Sequence, residues 1–232
     1  MCTNFVDRRD DLIIAMNFDN NGWDFVLNTN NSKLFIIDVD IGYGKYPSFG
    51  INSNGIFVNN LFVDSNGKGS YKRKSKTRTL TTYLVNDILN GNILINNLDN
   101  YLDTIEIVNG PNQSTHNMVV DNNGNTWVIE PGRGYMKNSV KESQYFAMTN
   151  FSIMDFNMGK KYTDNGIERY NLVNNMLSKS KTINVKEAFK ILEKVKQEGE
   201  WSTDFSMVYS KNNNTVYYCY KSNFNEILEY KF

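Results

Sequence analysis

The sequence has few of the residues that bind metals or form cross-links. Its 232 residues include one histidine, His116, and two cysteines, Cys2 and Cys219. A zinc site built from cysteines and histidines needs more ligands than these, so we expect neither a metal nor another cofactor. A disulfide between the two cysteines and a catalytic Cys/His pair both remain open, although a chain of this length can bury a core without a cross-link.

Long apolar runs and an excess of one charge are also missing. The longest apolar stretches span a handful of residues, and the N-terminus has no apolar secretory core, so the sequence predicts a cytoplasmic protein without a membrane-spanning helix. Basic and acidic residues number 25 each. This balance gives no electrostatic reason to expect nucleic acid or a membrane as a partner. We interpret the one dense basic run, residues 71–78, as a solvated loop.

Turn residues and short apolar runs indicate the architecture. No Pro/Gly/Ser-rich linker divides the chain, so residues 1–232 are expected to form one domain. Apolar or β-branched runs between turn signals predict strands over 3–6, 12–16, 23–27, 34–39, 56–63, 115–120, 126–130, 145–149, 205–209 and 216–220. The turn at 121–124 predicts a hairpin.

Helical periodicity appears between these strands. Apolar residues share one face over 80–88, and Asn90 with Gly91 supplies a stop signal. A weaker helix is predicted over 97–103 and a clearer one over 167–177. A further helix should begin after Asn184, because Glu187 completes a capping box. Strands, then helices, then strands predict an α+β fold with an antiparallel sheet.

The cysteine at position 2 permits a particular chemistry. Removal of Met1 makes Cys2 the first residue. An ordinary thiol, with a pKa of about 8.5, is only a few per cent ionised at neutral pH and needs a base. The new α-amino group, with a pKa of about 7.7–8.0, can be that base on the same residue. An inert buried thiol is the alternative.

Further segments resemble one superfamily of N-terminal-nucleophile cysteine hydrolases. Its members include choloylglycine hydrolase, penicillin V acylase, acid ceramidase-like amidases and the isopenicillin N acyltransferase type. The similar segments occur in the family's order, and they are residues 2–19, 46–60, 115–131, 148–150 and 166–170. The resemblance therefore runs from Cys2 to about Tyr170.

The resemblance implies a four-layer αββα sandwich with Cys2 as the nucleophile. Asp19 would contact the terminal amine, and the side-chain amide of Asn150 would donate to the oxyanion of the tetrahedral intermediate. Arg169 would lie beside the nucleophile. Asp19 and Arg169 also have simpler interpretations, as a turn aspartate and a solvated helix residue.

Three further positions complete the expected site. The resemblance implies substrate-binding roles for Asn17 and, with an uncertainty of one or two positions, for Asn60. The family has an arginine immediately before its Asn-x-Asp pattern, and in this sequence Met16, immediately before Asn17, replaces it. That departure puts the activity in question.

These observations predict a hydrolase of a small linear non-peptide amide, such as an N-acyl amino acid or acylated amine, that works through a Cys2 thioester. The expected partner is this small-molecule substrate. Acyl transfer to an amine acceptor uses the same thioester and remains open, as does a catalytically inactive binding protein, which Met16 favours. The oligomeric state is also open, with a homo-oligomer as one alternative.

Overall fold

The computed structural model describes residues 2–29, 33–42 and 44–232. In chain order, the strands are β1 (Thr3–Asp7), β2 (Ile13–Asn20), β3 (Asp24–Asn28), β4 (Leu34–Asp40), β5 (Lys45–Asn52), β6 (Phe57–Asn59), β7 (Leu61–Phe62), β8 (Arg78–Leu80), β9 (Glu106–Val108), β10 (Thr115–Val120), β11 (Thr126–Glu130), β12 (Gly134–Asn138), β13 (Tyr145–Met148), β14 (Ser202–Ser210), β15 (Thr215–Tyr220) and β16 (Leu228–Lys231). The α-helices are α1 (Thr81–Leu89), α2 (Leu98–Thr104), α3 (Ile153–Asn157), α4 (Ile167–Lys179) and α5 (Val185–Lys194).

Most strands form two sheets. The first sheet has the order β13-β1-β2-β14-β15-β16 and is antiparallel throughout. The second has the order β12-β11-β10-β6-β5-β4-β3, with β7 also paired to β10. Strands β8 and β9 form a separate short parallel pair. The chain begins in the first sheet with β1 and β2 and returns to it twice, with β13 and with β14–β16, so residues far apart in sequence become neighbours.

The side chains form three apolar layers. Between the sheets, Phe205 of the first packs against Phe35 and Phe49 of the second. On the outer face of the first sheet a second cluster joins its strands to α4 and α5. On the outer face of the second sheet a third cluster contains the buried residues of α1 and α2. Because alternate residues of a strand face opposite sides, each sheet can bury both faces. The predicted four-layer αββα sandwich is confirmed.

Local signals in the sequence explain several elements. The Asn184 side chain accepts a hydrogen bond from the Glu187 backbone and the Glu187 carboxylate accepts one from the Asn184 backbone, so the predicted capping box at α5 is confirmed. In the predicted hairpin between β10 and β11, the turn reverses at Gly124, where φ is +84°. That conformation favours glycine because it has no Cβ.

Other predictions need correction. A single strand was expected over 56–63, but the structure divides it into β6 and β7 at Asn60. Strand β5 contains Pro47, which has no N–H for the ladder. Next to it the pairing with β4 shifts register, because Ile37 is opposite Phe49 and Asp38 is opposite Pro47, which leaves Ser48 of β5 without an opposite residue. Such irregularities accommodate proline. The sequence also gave no prediction for the exposed strands β12 and β16.

Within the described ranges, no helix is long and apolar enough to span a bilayer.

Candidate active site

Cys2 lies immediately before β1, which pairs with β2 on one side and with β13 on the other. Only 6% of the residue is exposed. Its sulfur is 3.9 Å from the backbone oxygen of Asp19, at the end of β2, and its backbone nitrogen donates to Oδ1 of Asn150, just after β13, at 2.8 Å. The antiparallel pairing of β1 with β2 and with β13 brings these three residues together.

Asp19 is a buried carboxylate held by three side chains. Thr203 Oγ1 donates to Asp19 Oδ1 at 2.5 Å, and Gln197 Nε2 donates to Oδ2 at 2.6 Å. Arg169 Nη1 lies 3.5 Å from Oδ2. Burial raises the pKa of Asp19 to about 6, although the arginine and both hydrogen bonds favour the ionised form. Asp19 therefore remains a carboxylate at neutral pH and loses its charge in mild acid.

Arg169 connects the first turn of α4 to Cys2. Its Nη1 donates to the carbonyl of Cys2 at 2.9 Å and to Thr3 Oγ1 at 2.5 Å, and its Nη2 donates to Asn150 Oδ1 at 3.1 Å. The planar fork of donors makes these contacts simultaneously. Gly166 permits this arrangement, because a Cβ there would lie 2.5 Å from Nη2 of the arginine.

The side-chain orientation of Asn150 follows from its partners. On one side stand two donors, the Cys2 nitrogen and Arg169 Nη2; on the other stands the Phe62 carbonyl, which accepts from Nδ2 at 2.8 Å. The oxygen must face the donors and the nitrogen must face the carbonyl. The sequence predicted that the amide nitrogen of Asn150 donates a hydrogen bond to the oxyanion. In the structure that nitrogen donates to the Phe62 carbonyl, and the amide oxygen accepts from the Cys2 nitrogen.

Asn60 lies on the second sheet, at the break between β6 and β7. Its backbone N–H donates to Ser48 O at 2.7 Å. Its side-chain oxygen is buried and has no hydrogen-bond partner among the described residues. Asn60 and Cys2 line the same cavity. A buried amide oxygen without a partner is energetically unfavourable, and a ligand in the cavity can satisfy it.

This cavity is apolar. It has a volume of about 60 Å³, and its lining includes Phe18, Trp23 and Phe62. A neighbouring cavity of about 340 Å³ shares four lining residues with it: Ile41, Tyr46, Thr82 and Gln113. No charged side chain lines either cavity among the residues that the structure describes.

Asn17 is not brought into this cavity. Its Nδ2 donates to the Leu192 carbonyl in α5 at 2.8 Å, and its Oδ1 accepts from Ser206 Oγ at 2.7 Å. The residue is fully buried beneath the helix. Both polar atoms are thus occupied by the protein itself, and the structure gives Asn17 a contact between sheet and helix where the sequence predicted a substrate contact.

Three contributors to the site were not predicted. Thr203 is paired with Asp19 across β14 and β2, and Gln197 lies in the segment after α5. Thr3 shares Arg169 with Cys2. Because these contacts form only when the C-terminal strands join β2, no local sequence pattern identifies Gln197 or Thr203.

The protonation chemistry of the thiol requires a base. Burial raises the pKa of the Cys2 thiol. His116 does not fill this role, because Nε2 is hydrogen-bonded to the Thr149 carbonyl at 2.9 Å and Nδ1 to Glu130 at 3.3 Å.

Both cysteines are free thiols. Within the described part of the chain, no cluster of three or more His, Cys, Asp and Glu side chains is arranged to hold a metal ion.

Comparisons with known proteins identify the fold. No family model and no curated protein matches the sequence. Among solved structures, a mutant of the conjugated bile acid hydrolase from Clostridium perfringens superposes with a TM-score of 0.70 at 15% identity, covering 100% of this chain and 92% of that one. Penicillin V acylase from Agrobacterium tumefaciens gives a TM-score of 0.67 at 14% identity, with coverages of 94% and 83%.

A third similar structure is the N-acylethanolamine-hydrolyzing acid amidase ortholog from Caenorhabditis elegans. Its TM-score is 0.62 at 14% identity, covering 90% of this chain and 93% of that one. The three similar structures are thus a bile acid hydrolase, a penicillin acylase and an acid amidase. The resemblance stated from the sequence is therefore confirmed at the level of the fold.

Proposed function

We propose that this protein hydrolyses a small linear N-acyl amide, with Cys2 as the nucleophile. The observation that carries the proposal is the position of Cys2. Its sulfur borders an uncharged cavity, and its backbone nitrogen is held by Asn150 next to the Arg169–Asp19 pair. The shared fold with a bile acid hydrolase, a penicillin acylase and an acid amidase supports the same reaction class.

The proposed reaction starts after Met1 has been removed. The free amine of Cys2 takes the thiol proton, and the thiolate attacks the carbonyl carbon of the substrate to form a C–S bond. The ammonium then returns the proton to the leaving nitrogen as the C–N bond breaks, which leaves a thioester. Water, deprotonated by the same amine, attacks the thioester and releases the acid and the thiol.

The surrounding residues support this cycle. Asn150 Oδ1 accepts from the Cys2 nitrogen at 2.8 Å and fixes its direction. The negative charge of Asp19 favours the ammonium form that donates to the leaving group. The buried arginine at the Cys2 carbonyl supplies a compensating positive charge.

The cavities favour an uncharged, apolar acyl group. Aromatic and aliphatic side chains line the space beside the sulfur, and burying a charged acyl group there would leave that charge without a partner. The unpaired Asn60 oxygen can accept the N–H of a secondary amide. N-acyl amino acids and acylated amines both carry that N–H next to an acyl chain.

The decisive experiment compares the two cysteines. The intact mass of the purified protein is first measured to show that Met1 is absent, since a retained Met1 would block the α-amino group of Cys2. Wild type, Cys2→Ala and Cys219→Ala are then assayed for amine release from a panel of N-acyl amino acids and N-acyl amines. Only Cys2→Ala should lose turnover, because Cys219 is buried in the apolar cluster between the first sheet and the helices α4 and α5.

Two outcomes would redirect the proposal. If an added amine is acylated in preference to water, the protein is an acyltransferase that uses the same thioester. If Cys2 reacts with iodoacetamide no faster than an exposed cysteine and Cys2→Ala changes nothing across the panel, a binding protein with this fold is favoured. Met16, fully buried between the sheets, supplies no charge next to the thiol and is the observation that favours this second function.

A further inference from the structure

The one histidine of the chain lies in a buried polar network a single residue away from Asn150. His116 and Glu130 are both 0% exposed. His116 Nε2 is 2.9 Å from the carbonyl oxygen of Thr149, and Nδ1 is 3.3 Å from Glu130 Oε1. A carbonyl oxygen can only accept a hydrogen bond, so Nε2 carries a hydrogen and donates it.

Several hydrogen-bond donors converge on the Glu130 carboxylate. Glu130 Oε1 accepts from the backbone of Ile153 at 3.0 Å, and Oε2 accepts from Ser152 Oγ at 2.5 Å. Ser152 Oγ itself accepts from the Asp155 N–H at 3.0 Å, so its own hydrogen points to the glutamate. Arg133, which also contacts Asp64 and Asp155, lies 3.9 Å from Oε2. Donors and a cation thus surround Glu130, and Nδ1 of His116 lies beside its Oε1.

The contact to Thr149 fixes one peptide unit at both ends. The carbonyl oxygen of this unit accepts from His116, and its N–H, on Asn150, donates to the Asn165 carbonyl at 3.2 Å. Strand pairing of β13 with β1 ends at Met148 opposite Asn4, so the sheet does not hold this unit. Asn150, whose N–H belongs to this peptide unit, also carries the side-chain oxygen that accepts the hydrogen bond from the Cys2 nitrogen.

We propose that His116 and Glu130 are positioning residues for the nucleophile. By holding the 149–150 peptide, they fix the position of Asn150 Oδ1. The hydrogen bond that this oxygen accepts then orients the Cys2 nitrogen for proton transfer with the Cys2 sulfur. This inference rests on the proposed function, because the nitrogen is assigned as the base. Neither residue touches the thiol or the cavity beside it.

A double variant separates positioning from stability. Glu130 also accepts from Ile153 and Ser152, so an apolar residue there would leave buried donors unpaired. His116→Leu with Glu130→Gln keeps an amide oxygen for the Ile153 N–H and should therefore fold, yet leave the Thr149 carbonyl without its donor. We expect kcat to fall about 10- to 100-fold with KM changed less than about twofold, as is typical when a reacting group is misplaced by a fraction of an ångström.

Conservative substitution provides the rescue. In His116→Gln the side-chain amide can reach the position of Nε2 and donate to the same carbonyl, so kcat should stay within about threefold of wild type. Asn184→Ala, which removes the cap of α5 and none of the bonds at the site, is the control for a general loss of stability. A double variant with wild-type kcat, or a His116→Gln variant as slow as the double variant, would overturn the proposal.

Hydrogen exchange provides a test that does not need turnover. The amide of Asn150 should exchange about 10-fold faster in the double variant than in wild type, while amides of β10 and β11 keep their protection. If wild type hydrolyses no amide but this difference is found, the proposed function fails and the positioning contact stands. Unchanged exchange at Asn150 refutes the positioning role whatever the activity. If the double variant does not fold, Glu130→Gln is measured in the same way.

Discussion

Substitution of Asp19 by asparagine should make the protein more stable and less active. The raised pKa of the carboxylate, about 6 against an ordinary value of 3.8, means that the fold disfavours its charge. A difference of about two pH units corresponds to about 3 kcal/mol in the free energy of unfolding. Because this value already includes the attraction of Arg169, it is the net cost of keeping the charge buried.

The sign of the pH dependence follows directly. Below the ordinary pKa of 3.8, Asp19 is protonated in both states and costs nothing; between there and about 6 only the unfolded state is ionised, so stability falls as pH rises. Asp19→Asn, which is close in shape and can keep hydrogen bonds to Thr203 and Gln197, should gain about 2–3 kcal/mol at pH 7.5. The gain should nearly vanish at pH 4.

Urea denaturation at the two pH values measures the difference. Asp64→Asn is the matched control: although partly buried, this carboxylate has its pKa lowered by Lys160, Tyr162 and neighbouring donors, so its loss should destabilise the protein at pH 7.5. Turnover of Asp19→Asn should fall about 100-fold, since the ammonium loses its counter-charge. An Asp19→Asn variant that is less stable than wild type at pH 7.5 would refute the reasoning.

Three further predictions concern other parts of the molecule. Asn60→Ala should raise KM for secondary amides several-fold and leave kcat nearly unchanged, and steady-state kinetics on paired secondary and tertiary amides checks this; an equal effect on both would contradict it. Gly50→Ala should destabilise by about 1–3 kcal/mol in urea, because its Cβ would lie 2.7 Å from the Phe35 carbonyl; unchanged stability would show that β4 can shift. Asn184→Ala should cost about 1 kcal/mol of stability without changing kcat, and a loss of turnover at full stability would contradict the assignment of a purely local cap.

The sequence correctly predicted elements that depend on residues close together in the chain. The capping box of α5 depends on residues three apart, and the β10–β11 hairpin depends on one turn, so both could be identified without knowing the rest of the chain. The break at Asn60 could not. There the backbone N–H leaves the ladder to bond with Ser48, and only the neighbouring strand β5 decides that.

The site itself was predictable only through the family resemblance. The contact between Cys2 and Asn150 joins residues 148 positions apart, a separation that periodicity cannot bridge. The resemblance placed both residues, but it did not indicate which atom of the asparagine faces the cysteine. Two neighbouring donors decide that, and one of them belongs to Arg169.

Asn17 shows a different limit. In a strand, residues two apart face the same side, so Asn17 and Asp19 share the side that faces the helices. The Asn-x-Asp pattern therefore could not show that the Asp19 side chain pairs with Arg169 beside Cys2 while the Asn17 side chain lies beneath α5.

The hydrogen bond from Asn150 Nδ2 to the Phe62 carbonyl joins the segment after β13, an edge strand of the first sheet, to β7 of the second. The sulfur belongs to the first sheet, whereas Asn60 and much of the cavity wall belong to the second. The proposed reaction centre is therefore assembled across the interface between the two sheets. Repacking Phe49 or Phe205 in that interface would shift one sheet relative to the other and change the position of the sulfur relative to the cavity wall, while the hydrogen bonds within each sheet stay intact.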